Sequence, residues 1–229
     1  MRRILFVFLD GVGLGPSGPQ NPFSADGEST FRRLSGGATW TRELPETASP
    51  HHLVRPLDAT LGLDGLPQSG TGQASLFTGV NCAERVGRHF GPFPHSATHE
   101  VLDHDNLFHR VQALTPDGPP AAFANAFPPQ FFEASSRRWT VTTRCCAGAD
   151  VPLRDLDALR ARRAVAADLT AEAWRDALAL DVVPRSPAEA AEHLFATHRN
   201  HVLTLFEYFQ TDKVGHGRSD LDPDALVER

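Results

Sequence analysis

The sequence predicts an α/β fold, a largely parallel central sheet flanked by helices. Two apolar runs and the pattern between them carry that reading. Ile4–Leu9 is continuously apolar, as strands buried on both faces of a parallel sheet are. His201–Phe209 repeats this character near the other end of the chain, and helix-like stretches alternate with short apolar runs in between.

The elements follow in order. The first strand ends at Asp10, and a turn containing Gly11, Gly13 and Gly15 follows. Asn21–Pro56, rich in Gly, Ser, Thr and Pro, reads as a long loop with room for one short helix. Helices are predicted at Gly72–Val80 and Asp105–Leu114, then a turn at Thr115–Pro120. Ala121–Phe127 and Trp139–Thr143 read as further strands, and Leu153–Arg163 and Ala171–Leu180 as helices. Pro187–Thr197 has the best-marked start. Ser186 stands at the N-cap, Pro187 at the first helical position and Glu189 three residues after the cap. Repeats and low-complexity tracts are absent from the sequence.

Bulk properties narrow the function classes. The 229 residues can bury a sizeable core. A net charge of −6 argues against a general nucleic-acid binder, whose footprint is basic. Ile4–Leu9 is too short to span a membrane and lacks the features of a signal peptide. Cys82 and the adjacent Cys145 and Cys146 form neither a disulfide framework nor a spaced zinc motif, and adjacent cysteines lack the usual redox spacing. The expectation is a cytoplasmic enzyme with a small-molecule substrate, no nucleic-acid partner and no membrane partner.

Chemistry collects at the predicted strand ends, where ligands bind in parallel sheets. Asp10 follows the first strand, and Asp212 and His216 follow the last in "TDKVGHG". Carboxylate oxygen with imidazole nitrogen suits zinc or manganese, although surface turns also contain such pairs. Asp10 alone reads equally as a turn aspartate. Between them, "GLPQSGTGQASLFTG" sets Ser69 and Thr71 at a helix start, where free N–H groups favour an alkoxide or a phosphate. The plainer reading makes one of them a helix cap. Familiar rivals fail on particular residues. Pro16 follows a third glycine that comes one position early for a dinucleotide fingerprint. Pro67 stands where a hydrolase elbow needs glycine, and no Gly-Lys-Ser/Thr exists in a chain whose sole lysine is Lys213.

Taken in order, these features resemble the alkaline phosphatase superfamily. The likeness is nearest to its cofactor-independent phosphoglycerate mutase and phosphopentomutase branch, and within it to the group called metalloenzyme-domain proteins. "PLDATLGLDGLPQSGTGQASLFTG", "VGRHFGPFP" and "LFEYFQTDKVGHG" carry the resemblance, which runs from Met1 to about Arg218. It implies an alkaline phosphatase-like core, residues 1–84 and 201–229, with a smaller α/β lid lobe inserted at 85–200. It further implies Asp10 as a ligand of one metal and Asp212 with His216 as ligands of the other. The family's nucleophile stands three residues before one glycine and ten before the glycine that closes the helix. Gly72 and Gly79 then select Ser69, also a metal ligand, with Thr71 in reserve. The implied reaction is phosphoryl transfer through a phosphoserine with two divalent ions, Mn or Zn with Mg also admissible, converging with these residues. The substrate is a small phosphorylated molecule. Arg85, Arg88 and His89, soon after the nucleophile helix, are placed to meet its oxyanions, and they read equally as a solvated helix end.

The chain departs from the family after His216. There the family continues to a strand ending in Asp-His and to a further histidine, whereas "GRSDLDPDALVER" contains no histidine. Asp220, Asp222 and Asp224 read as the start of a helix instead. The resemblance therefore implies a chain truncated at its C-terminus with incomplete metal sites. The alternative to an active enzyme is a catalytically incomplete, metal- or ligand-binding remnant.

Overall fold

The computed structural model describes residues 2–24, 29–118, 120–133 and 139–228. Its elements run β1 (Ile4–Leu9), α1 (Thr30–Leu34), β2 (Thr47–Ala48), β3 (Leu53–Val54), α2 (Ser69–Thr78) and α3 (Cys82–Val86). Next come α4 (His99–His104), α5 (Leu107–Leu114), β4 (Ala122–Phe123), α6 (Pro129–Glu133), α7 (Val141–Gly148) and α8 (Leu156–Arg160). The last are α9 (Glu172–Asp176), α10 (Pro187–His198), β5 (Leu203–Tyr208), α11 (Gln210–Gly215) and α12 (Pro223–Glu228). The chain forms two units, one comprising residues up to Phe8 with Ala59–Tyr208, the other Leu9–Asp58 with the chain from Phe209 onward.

The first unit is α/β, with a small parallel sheet in the order β1-β5-β4 flanked by helices. β5 lies in the middle and buries Leu203 through Glu207, as its apolar run predicts. β4 pairs with it in parallel, Ala122 opposite Thr204 and Phe123 opposite Leu205. β1 joins the other side, its Ile4 N–H donating to the Val202 carbonyl at 2.9 Å. Its expected burial is only partial: at the edge of the sheet, Ile4 is 52% and Val7 46% exposed. Beyond Phe123 a side chain continues the pairing. Asn125 Nδ2 donates to the Glu207 carbonyl at 2.7 Å, and Glu207 N–H donates to Asn125 Oδ1 at 2.8 Å. On its other side Asn125 bridges Val165 in parallel.

Helices α4, α5 and α7 meet around Asn106, which is fully buried. As N-cap of α5 it accepts from Phe108 N–H at 2.9 Å, while its amide donates to the carbonyls of Leu102 and Cys145 at 2.6 and 3.1 Å. Gly148 allows α7 to approach α4, because a Cβ there would lie 2.4 Å from the Asp103 carbonyl oxygen. α10 has the cap its sequence predicts. Glu189 N–H donates to Ser186 Oγ at 3.2 Å, and Ser186 N–H donates to the Glu189 carboxylate at 2.8 Å.

Three expectations need correction. Trp139–Thr143 is not a strand: Thr140 caps α7, and Val141, Thr142 and Thr143 are buried within that helix. Leu153–Arg163 and Ala171–Leu180 contain only the short helices α8 and α9. The division at 84/85 and 200/201 also differs from the observed units. β4, from inside 85–200, hydrogen-bonds to β5, so that segment supplies a strand to the sheet containing β1 instead of forming a separate lid lobe. Residue 119 of the expected turn and residues 25–28 of the expected loop lie outside the described residues.

The second unit contains α1, the β2–β3 hairpin, α11 and α12. Trp40 packs edge-on to Phe31 with ring centroids 4.9 Å apart, and its indole N–H donates to the Phe31 carbonyl at 2.9 Å. Arg55 spans the hairpin to Glu46 with two bonds of 2.7 and 3.0 Å. The expected helix near Asp220–Asp224 is α12, and Leu226 N–H donates to the Asp222 carbonyl at 3.0 Å. Among the described residues no helix is long and apolar enough to cross a membrane.

Candidate functional site

In the first unit the site is built on the start of α2. Gln68, in extended conformation, is its N-cap and makes no side-chain cap bond, while Gly79 closes the helix in the left-handed region at φ 71°. Ser69 is therefore the first helical residue, and neither Ser69 nor Thr71 is the cap that the plainer reading assigned. The two hydroxyls differ in surroundings. Thr71 is wholly buried and locked to the chain at Phe90. Its N–H donates to the Phe90 carbonyl at 2.8 Å, and Phe90 N–H donates back to Thr71 Oγ1 at 3.1 Å. Ser69 is only half-buried. Gly70 permits this docking, since a Cβ there would stand 2.3 Å from the Phe93 carbonyl oxygen and 2.5 Å from that of Phe90.

The docked segment also places the basic residues. Arg88 and His89 line an open cavity of about 530 Å³ beside Gln68, and the Arg88 guanidinium lies 5.6 Å from the centre of the Phe90 ring. Among the described residues Nε2 of His89 is buried without a hydrogen-bond partner. Arg85 does not line that cavity: it sits on α3 and faces Glu100 across 3.4 Å. Asp64 and Gln68 complete the polar lining and were not singled out in the sequence. Their only local signal is the Asp-Gly turn before "LPQSG".

Asp10, Asp212 and His216 belong to the second unit. The backbone carries Asp10 close to Asp212: Thr211 Oγ1 donates to the Asp10 carbonyl at 2.5 Å, and a Cβ on Gly11 would lie 2.5 Å from Asp212 Cα. Gly11, at φ 74°, thus serves both a left-handed turn and a close approach. Asp212–Gly215 lie in α11, and His216 is its C-cap. α11 puts the pair one helical turn apart, with His216 Nε2 3.4 Å from Asp212 Oδ1. These donors are of the kind divalent metals take. Among the described residues, however, no three His, Cys, Asp or Glu side chains come together to hold an ion.

The cysteines are chemically quiet. All three are buried free thiols. Burial, with Glu207 and Asp103 nearby, pushes Cys145 up to about 12; burial likewise raises Cys146 and Cys82. Comparisons with protein-family models, curated proteins and solved structures found no match.

Proposed function

We propose that the protein is a phosphoryl-transfer enzyme of the alkaline phosphatase type, a phosphatase, phosphodiesterase or phosphomutase, with Ser69 as nucleophile. The α/β core with its parallel sheet is compatible with that fold, and the order Asp10, Ser69, Asp212, His216 supports the family reading. The observation that carries it is the contrast at α2: Thr71 is buried and engaged with Phe90, whereas Ser69 opens the helix half-buried at its positive end. In the proposed step Ser69 Oγ bonds to phosphorus as the ester oxygen leaves. The serine proton passes to solvent, and the departing oxygen takes a proton. Water then attacks the phosphoserine, or in a mutase a second substrate hydroxyl does, and Ser69 recovers its hydroxyl. Backbone N–H groups at a helix start favour the negative charge on the transferring group.

Asp10, Asp212 and His216, all in the second unit, are the proposed protein ligands for divalent ions, Mn or Zn with Mg also admissible. In kind they fit; in number, among the described residues, they fall short. The same observation favours the second reading, a catalytically incomplete protein that retains ligand binding.

Hydrolysis of p-nitrophenyl phosphate and its diester, after EDTA stripping and with Mn, Zn or Mg restored, tests the proposal. Metal-dependent turnover that Ser69→Ala abolishes supports the enzyme. Turnover equal in Ser69→Ala removes Ser69 from the role, and no turnover with any ion favours the binding protein.

A further inference from the structure

The cavity beside α2 holds unspent charge of both signs. Arg88 and Asp64 both line it, both are exposed, and no ion pair joins either to another side chain among the described residues. A surface cation and anion held in no ion pair are available to a ligand that carries both charges. His89, in the same lining, has Nε2 buried and without a partner among the described residues, a cost that a ligand oxygen or proton donor reaching it would remove. The Phe90 ring lies under the Arg88 guanidinium at 5.6 Å, which narrows the directions from which an anion reaches it. Gln68, the N-cap of α2, lines the same cavity and makes no cap bond. Gly91, also in the lining, packs on the start of α2, since a Cβ there would stand 3.1 Å from Gln68 Cβ and 3.3 Å from Ser69 N.

We infer that this cavity takes a small zwitterionic phosphomonoester, its phosphate on Arg88 and His89 and its ammonium group on Asp64. The inference rests on the phosphoryl-transfer reading for the role of that ligand as substrate, while the binding itself stands apart from turnover. A guanidinium matches a phosphate face with parallel N–H donors, and Asp64 gives the second charge a place that a neutral alcohol does not need. Since Arg88 and Asp64 are exposed, the ammonium contributes selectivity on the scale of a surface ion pair, roughly twofold to fivefold in affinity.

The test is a titration of the full chain, carrying Ser69→Ala and held in EDTA so that nothing turns over. O-phosphoethanolamine, glycerol phosphate, inorganic phosphate and ethanolamine are the probes, and the His89 ring resonances are the readout. O-phosphoethanolamine should bind about threefold tighter than glycerol phosphate. Asp64→Asn should erase that difference, and Arg88→Gln should weaken every phosphate probe by about tenfold. Equal binding of O-phosphoethanolamine and glycerol phosphate, indifference to Arg88→Gln, or no binding at all would overturn the inference. If the unsubstituted protein with metal restored forms phosphoserine at Ser69 while the titration shows no selective binding, the phosphoryl-transfer reading stands and this one falls. Selective binding in the titration, with Ser69 never phosphorylated in the unsubstituted protein, would do the reverse.

Discussion

Replacing Gly70 with alanine tests how the candidate nucleophile is positioned. An ideal Cβ at residue 70 lies 2.3 Å from the Phe93 carbonyl oxygen, 2.5 Å from that of Phe90 and 3.1 Å from Gly91 Cα. All three are backbone atoms, so no side chain can swing aside; the 90–93 segment must retreat by roughly 1 Å, an overpacking cost of about 1–3 kcal/mol. Retreat also stretches the paired bonds between Thr71 and Phe90, now 2.8 and 3.1 Å, each contributing about 0.5–1.5 kcal/mol. Better helix propensity returns about 1 kcal/mol. The net expectation is a loss of about 1–5 kcal/mol. Gly72, two residues on in the same helix, is the control, since a Cβ there meets nothing within 4 Å. Gly72→Ala should stabilise by about 0.4–1 kcal/mol. Urea unfolding of both variants, compared by midpoint at constant slope, gives the answer. Equal behaviour of the two would refute the docking of the Phe90–Phe93 segment onto α2.

Other expectations follow from the same structure. Asn106→Ala should destabilise by about 2–4 kcal/mol in urea melts, because it removes the cap of α5 and two donors that tie α4 to α7. Asn106→Asp, which keeps the acceptor but sets a buried carboxylate oxygen against the Leu102 and Cys145 carbonyls, should cost at least as much. The folded protein should resist thiol reagents at pH 8 and expose three reactive cysteines in denaturant; rapid labelling of native Cys145 or Cys146 would contradict their burial. Their raised values also set an alkaline limit. An unfolded thiol loses its proton near 9 while folded Cys145 holds it to about 12, so the unfolded chain binds fewer protons between those values. Stability contributed by Cys145 is complete below 9 and falls as pH rises toward 12, and Cys145→Ala should flatten that fall.

What was legible in the sequence was local. Ile4–Leu9 and His201–Phe209 declare themselves as strands through unbroken apolar runs, and Ser186-Pro187 with Glu189 contains its own start signal. Asp10 and Asp212 could be expected near one another because each leaves a parallel strand at its carboxyl end. What failed depended on distant partners. Val141-Thr142-Thr143 has the β-branched character of a strand, yet Thr140 caps it as a helix that Asn106 and the Gly148–Asp103 approach hold in the core. The lid boundary failed because Asn125 and Glu207 pair across 82 residues, a contact that no local composition announces. The role of Thr71 was equally hidden, since its partner Phe90 lies 19 residues away. Asp64 offered only a turn signal, and its place in the Arg88–His89 cavity emerges from folding alone.

The central claim is that the Ser69 hydroxyl attacks phosphorus, and covalent trapping tests it most directly. The intact protein, loaded with Mn or Zn, is mixed with a 32P-labelled phosphomonoester, quenched in acid and digested, and the labelled peptide is sequenced by mass spectrometry. The account predicts phosphate on Ser69, absent when the ion is withheld and absent in Ser69→Ala. Label on Thr71, or none on Ser69 while the labelled substrate is consumed, would contradict it.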